Sequence, residues 1–156
     1  EAPGVRVGGL ADASFSAAAA HGRFAVVTGG DRWRPMLVRL ADALGYSDSL
    51  AGIHTVAPSG AALAADPNGA RILLARACLE AVERFDAQAV ILGGAGLAGM
   101  AADIGHQLPV PLIDSVQAGA HWAMEALQTQ QASNSAASTG FGVAWENLSW
   151  EMGALS

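Results

Sequence analysis

Three glycine pairs follow short runs rich in β-branched residues: Gly8-Gly9 after Val7, Gly29-Gly30 after Thr28, and Gly93-Gly94 after Leu92. Glycine lets backbone N–H groups approach a ligand closely, and in an open parallel sheet ligands bind outside the carboxyl ends of the strands. If the three runs are parallel strands, the pairs form one rim. Helices opening just beyond it would turn their positive ends toward the same place, which suits a small carboxylate or another anion. Tight strand-to-helix turns alone would also explain each pair. Thr28 adds a hydroxyl, and Asp114-Ser115 adds a carboxylate and a second hydroxyl before a late helical segment. For Asp114 two readings stay open, a site acid and a cap for the next helix.

Gly94-Ala95-Gly96-Leu97-Ala98-Gly99 also satisfies G-x-G-x-x-G, with Asp114 twenty residues beyond Gly94. Read literally this is a dinucleotide fingerprint. Its place argues otherwise: it follows the fourth strand instead of the first, the strand that would hold the ribose carboxylate contains Pro111, and only one strand comes after it. No cofactor is expected. The single cysteine, Cys78, excludes an internal disulfide and a zinc site built on several thiolates, and no metal is expected. Cys78 lies eleven residues into a helix starting at Pro67, about 16 Å along its axis and so away from the rim. It reads as a core filler. His54 falls in an expected strand, His121 in a helix four residues before Glu125, and His106 near a helix end; all three read as structural or surface residues. Asp31 reads as a cap for the helix at Pro35.

The elements that must position these residues alternate along the chain. Strands are expected at residues 5–7, 24–28, 53–56, 89–92 and 110–113, and helices at 11–20, 35–44, from Pro67 to about Phe85, to about Leu108, and from 115 to about 130. Asp66-Pro67 supplies an N-cap and an N1 proline, and residues 58–60 read as a turn. Ile72, Ala75, Leu79 and Val82 are expected inward on the long helix, and Val116, Ala120, Ala123 and Leu127 on the last one. Pro111 removes a ladder donor, so the strand at 110–113 is expected near an edge. Such alternation implies an α/β fold, a three-layer α/β/α sandwich with a mainly parallel sheet. Residues 1–130 form this lobe. Residues 131–156 form a Ser/Ala-rich linker and a tail carrying Phe141, Trp145 and Trp150, which either patches the domain or docks on a partner.

The 156 residues suffice for one domain, and eight basic against fourteen acidic side chains give a net charge of −6. No basic stripe exists to track phosphates, so nucleic acid is not an expected partner. No apolar run approaches the roughly 18 residues of a bilayer-spanning helix. The lone cysteine suits a reducing compartment, and a cytoplasmic location is expected. Hydrophobic residues reach 52% and charged residues only 14%, against about 25% charged in an average domain. A homo-oligomer is therefore expected. The chain opens on Glu1 without a methionine or leader and reads as a fragment or processed product.

The run AVILGGAGLAGMAADIGHQLPVPLIDSV, residues 89–116, resembles the second half of the aspartate/glutamate/hydantoin racemase superfamily, especially its hydantoin and allantoin racemase branch. In that branch the strand ends in Gly-Cys-Ala-Gly-Met, and a later Val-Pro-Val-Ile-Asp precedes a helix. RFAVVTGGDRWRPMLVRLADALGY, residues 23–46, is similar to the same branch's strand, Thr-Thr loop and Arg-x-x-Pro helix. The resemblance covers residues 5 to about 130. It implies an isomerase in which a thiolate takes the proton α to a carbonyl on one face and a thiol returns one on the other, without a cofactor. It also implies two similar lobes flanking the site, the first preceding Glu1 with its own cysteine. Gly94 stands where the second-lobe cysteine is expected, and Asp114 matches the acidic position. Thr28, Gly29 and Gly30 match the loop that offers donors to a substrate carboxylate or amide, with Gly29 in place of a threonine; Gly93, Ala95, Gly96 and Ser115 complete the expected binding rim. The resulting expectation is an amino-acid or hydantoin racemase-family protein that binds a small molecule and fails at two-thiol racemisation on its own. The alternative is a non-catalytic module that binds a small carboxylate or cyclic amide, or assembles with other chains.

Overall fold

Helix and strand alternate in the order α1 (Leu10–Ala19), β1 (Phe24–Gly29), α2 (Trp33–Ala43), β2 (Leu50–Val56), α3 (Gly60–Ala65), α4 (Pro67–Phe85), β3 (Ala89–Gly93), α5 (Met100–Ile104), β4 (Leu112–Asp114) and α6 (Ser115–Asn134). The computed structural model describes residues 8–134. The strand expected at residues 5–7 and the aromatic tail with Phe141, Trp145 and Trp150 lie outside them. The four strands pair in the order β2-β1-β3-β4, every pair parallel, so each connection crosses over the sheet. The chain forms two units, Glu1–Ala126 and Leu127–Ser156; the first holds the sheet and both core clusters. Among the described residues no helix is long and apolar enough to cross a membrane.

All six residues of β1 and the first four of β3 are buried. That continuous burial, instead of alternation, reflects helices on both faces. On one face Phe24, Val26 and Ile91 pack with Phe15 and Ala18 of α1 and Ala41 of α2. On the other Val27, Val90 and Leu92 pack with Leu74, Cys78 and Ala81 of α4 and Ile104 of α5. The expected α/β sandwich is the fold observed.

Local signals set most boundaries. Asp66 Oδ1 accepts from the Gly69 N–H at 3.1 Å with Pro67 following at the first helical position, so α4 begins where its cap and proline place it. Pro111 lacks a donor, but its carbonyl accepts from the Val90 N–H at 3.0 Å. β4 is an edge strand among the described residues, as expected, and starts at Leu112. The expected turn at residues 58–60 leads directly into α3, because the Ser59 hydroxyl accepts from the Ala62 N–H at 3.2 Å and an alanine-rich run follows. The single helix expected up to Leu108 is instead a 3₁₀ turn (Ala95–Leu97), α5 and a second 3₁₀ turn (Gly105–Gln107). Gly99, at φ 83°, separates the first two.

Two helices depart in part from the inward face expected. On α4, Ala75 is buried and Val82 packs against the core as expected, but Ile72 is 76% exposed and Leu79 is exposed too, while Leu74, Ala77, Cys78 and Ala81 are buried. Apolar residues occur nearly all round this helix, and the small ones let it lie close to the sheet. On α6, Ala120, Ala123 and Leu127 are exposed, and Gly119 sits against Leu10 of α1. A glycine carries little hydrophobic weight in a periodicity argument, so this contact face has no sequence signature.

Candidate functional site

Along β1 and β3 the period of two stacks facing pairs on the α1/α2 side: Phe24 with Ala89, Val26 with Ile91, Thr28 with Gly93. The first two layers are core. In the third a hydroxyl faces a glycine, no side chain fills the space, and the core opens into a cavity of about 640 Å³. That volume is within the usual range for small-molecule sites. Phe15, Val26 and Ile91 form its floor, and Trp33, Met36, Leu37 and Leu40 of α2 form one wall.

Thr28, Gly29, Gly93, Gly94, Ala95, Gly96 and Ser115 all line this cavity, so the structure brings together most of the rim read from the sequence. The remaining glycine pair reaches the same end of the sheet: Gly9 is the N-cap of α1, whose Leu10 and Ala11 also line the cavity. Gly30 and Asp114 are not among the lining residues. Asp114 is buried, and its carboxylate is fully engaged. Oδ2 accepts from the Gly99 N–H at 2.7 Å, and Oδ1 accepts from the N–H groups of Val116 at 2.9 Å and Gln117 at 3.2 Å. It caps α6 and ties down the loop that carries Gly94.

Three hydroxyls give the cavity its polarity. The Gly94 N–H donates to Ser115 Oγ at 3.2 Å, which leaves the Ser115 proton to donate into the cavity. Ser14, fully buried, is the reverse case, because its hydroxyl spends its proton on the Leu10 carbonyl at 2.5 Å. Thr28, also lining, can act either way. None of the lining residues carries a charge, so the rim offers an anion no cationic side chain.

The glycines serve different ends. Gly94, at φ 128° and ψ 132°, adopts backbone torsions that strain any residue with a side chain, although a Cβ there would have room, 3.9 Å from Leu97 Cγ and 4.0 Å from Thr28 Oγ1. At Gly29 a Cβ would lie 2.7 Å from the Pro58 carbonyl oxygen, and at Gly96 3.0 Å from that of Gly60. These two let the start of α3 close one side of the cavity. The G-x-G-x-x-G run does not open a helix at its glycines, since only the short 3₁₀ turn and the five-residue α5 follow. That is not the arrangement in which the motif binds a pyrophosphate.

Other singled-out residues lie elsewhere. Cys78 is fully buried in the α4 core, and burial pushes its thiol from the ordinary 9.0 up to about 12. Because the thiolate is the reactive form, iodoacetamide at pH 8 is expected to label Cys78 in the native chain about a thousandfold more slowly than in urea, three pH units of lost ionisation. Equal rates, followed by mass spectrometry, would show a thiol that solvent reaches. His54 Nε2 is 3.8 Å from Glu80 Oε2, and Arg76 Nε donates to Glu80 Oε1 at 2.8 Å. His106 and His121 are exposed, and none of the three histidines lines the cavity. Asp31 does not cap α2, whose N-cap is Arg32 without a side-chain bond. Its carboxylate accepts from the Thr55 hydroxyl, while Arg34 Nη2 donates to Thr55 Oγ1 at 3.3 Å, joining the start of α2 to β2. The sequence reading missed the α2 wall, yet Trp33, Met36, Leu37 and Leu40 follow the i, i+3, i+4, i+7 pattern of one helical face.

Comparison with known proteins agrees with this geometry. The Asp/Glu/Hydantoin racemase family model matches residues 1–123. The chain is 35% identical over 116 residues to a hydantoin racemase of Pseudomonas sp. (strain NS671), covering 74% of this chain and 47% of that protein. It is 34% identical over 95 residues to a hydantoin racemase of Paenarthrobacter aurescens, covering 61% and 40%. The crystal structure of an allantoin racemase from Pseudomonas fluorescens superposes with a TM-score of 0.73 at 25% identity, covering 78% of this chain and 52% of that one. An allantoin racemase from Klebsiella pneumoniae gives 0.72 at 25% identity, covering 96% and 61%. The chain spans about half the length of the curated relatives it matches. On the family match, the shared fold and the glycine rim, the chain belongs to the Asp/Glu/hydantoin racemase family.

Proposed function

We propose that this chain is the ligand-binding half of a cofactor-independent racemase, that its ligand is a neutral cyclic amide of the hydantoin kind, and that two-thiol proton transfer is impaired in it. The observation that carries this reading is an uncharged cavity whose lining polarity comes from hydroxyls, among them Ser115, whose oxygen accepts from the Gly94 N–H and whose proton is left to donate. A cyclic diamide offers a carbonyl to such a donor without bringing a charge. A zwitterionic amino acid would bring charges that the lining leaves unpaired, which is costly in an apolar site.

Inversion at the carbon beside the carbonyl needs a base on one face and an acid on the other. Position 94, where the family resemblance places the second thiol, is glycine, and Cys78 is sealed in the core. This half therefore contributes binding and, through the Ser115 hydroxyl, stabilisation of the developing enolate oxygen. The base belongs to the partner lobe that the longer relatives suggest.

With one enantiomer of a 5-substituted hydantoin in D₂O, the chain alone is expected to bind but not to raise α-carbon exchange or loss of optical rotation above the buffer rate. Cys78→Ala should behave identically. Turnover that disappears in Cys78→Ala would overturn the proposal. A non-catalytic assembly module is a second reading, favoured by the outward-facing Ile72 at 76% exposure. It predicts no gain of turnover from Gly94→Cys when the chain is joined to a first lobe, whereas a decayed enzyme regains activity.

A further inference from the structure

We infer that the outer edge of β2 pairs antiparallel with the same edge of a second copy of this chain, joining two sheets across a two-fold axis near Ile53. The two edges of the described sheet differ. β4 is three residues long and follows Pro109 and Pro111, a short proline-flanked strand of the kind that resists pairing. β2 is seven residues long, LAGIHTV, and holds no proline and no charged residue. Its one irregularity lies near its start, opposite Phe24 and Ala25, so the stretch from Ile53 to Val56 is regular. On the inner side the Gly30 N–H donates to the Val56 carbonyl at 2.9 Å. In a parallel ladder alternate residues turn both backbone groups to the same side, so Ile53 and Thr55 direct theirs outward. Among the described residues no strand pairs with them. An uncharged edge of this length is a template for another strand.

The flanks of the edge fit a second copy. A groove of about 320 Å³ lies against it, lined by Arg34 and Val38 of α2, Leu50 and Ile53 of β2, and Phe85 of α4 among others. Val38 is 50% exposed, and Ala41 is the only buried residue of its helix, so α2 carries an apolar side that nothing described covers. Ile53 is the central residue of β2, and a two-fold axis there sets Val38 of each copy against the other. Charge agrees with the antiparallel direction. Arg34 reaches Thr55 near the carboxyl end of β2, whereas Asp48 is exposed just before its start. Reversing the second strand brings Arg34 of each copy toward Asp48 of the other. On α4, Glu80 lies 3.8 Å from His54 of β2, and exposed Arg76 and Glu83 share its flank at i−4 and i+3; the same reversal brings Arg76 toward Glu83. An interface of this kind uses one patch on both copies and closes as a dimer. The groove shares no lining residue with the ligand cavity, which stays open.

The test is sedimentation equilibrium of the full chain over a concentration series, with circular dichroism to check that each variant is folded. A monomer–dimer equilibrium is expected. Val38→Asp places two carboxylates together at the axis and should weaken the dimer at least about tenfold, at an exposed position where folding is not at stake. Arg34→Asp and Asp48→Arg should each weaken it severalfold, since each sets like charges together across the interface. The double variant Arg34→Asp/Asp48→Arg exchanges the two charges and should recover most of the loss. A chain that stays monomeric at submillimolar concentration would overturn the proposal. So would a dimer whose dissociation constant is the same in Val38→Asp and Arg34→Asp as in the parent, because its contact would lie on another face. A double variant no tighter than the single ones would overturn the antiparallel register.

Discussion

Phe15→Ala is expected to lower the unfolding free energy by about 3–5 kcal/mol, the range for deleting a buried phenyl ring. Phe15 is 1% exposed. Its ring stacks on Phe24 at 5.4 Å between centroids and meets Tyr46 edge-on at 5.6 Å, so the substitution removes two aromatic contacts as well as buried area. The site is poorly placed to collapse, because Phe15 also forms the floor of the cavity. Truncation there joins new empty space to old and leaves the walls without contact atoms. Since a domain's whole stability is about 5–15 kcal/mol, the variant should be partly unfolded in mild urea. Phe15→Leu, which retains most of the volume, should lose much less. A loss under about 1 kcal/mol for Phe15→Ala in urea denaturation, far below the range for such truncations, would mean that α1 packs differently from the arrangement described.

The second large effect is expected at Asp114. Its two oxygens serve three backbone donors, at Gly99, Val116 and Gln117, and alanine orphans all three. Loss of an N-cap and of charge-assisted hydrogen bonds at a buried position should together cost about 2–4 kcal/mol. The substitution Asp114→Asn would separate the two jobs. An amide can keep its oxygen toward Val116 and Gln117 and cap α6, but its NH₂ then confronts the Gly99 N–H, donor against donor. Relative to Asp114→Ala, this variant is therefore expected to recover part of the stability while amide exchange in residues 94–99 remains fast. Equal stability and equal exchange in the asparagine variant and the parent chain would show that the Gly99 contact does not hold the loop. Asp114 thus holds in place the loop that carries Gly94.

The sheet and the rim were legible because they depend on strong local signals. Uninterrupted apolar runs ending in glycine pairs locate β1 and β3, and Asp66-Pro67 locates the start of α4, because cap and proline chemistry act within a few residues. The distance of Cys78 from the rim followed from helix arithmetic, and its burial from a small apolar side chain beside Leu74 and Ala81. What stayed hidden depends on three-dimensional choices among near-equivalent faces. Ile72 and Leu74 are equally apolar as letters, and only the close approach of α4 to the sheet turns one out and the other in. Trp33, Met36, Leu37 and Leu40 announce an apolar face, but periodicity cannot say whether that face meets core or ligand. Asp31 sits where a cap is expected, yet the Thr55 hydroxyl on a neighbouring strand takes its carboxylate, a tertiary contact with no local signature.

The contact between Gly29 and the carbonyl of Pro58 constrains how relatives of this chain can diverge. A β-carbon at 29 would also come within 3.0 Å of the Gly60 nitrogen, so the two segments are sterically interlocked. A threonine at this site demands a retreat of the neighbouring backbone, and that retreat would withdraw Gly60 and Ala61 from the lining. Positions 29 and 58–61 should therefore covary as a set, and swapping one without the other between homologues should produce chimaeras that fold worse than either parent.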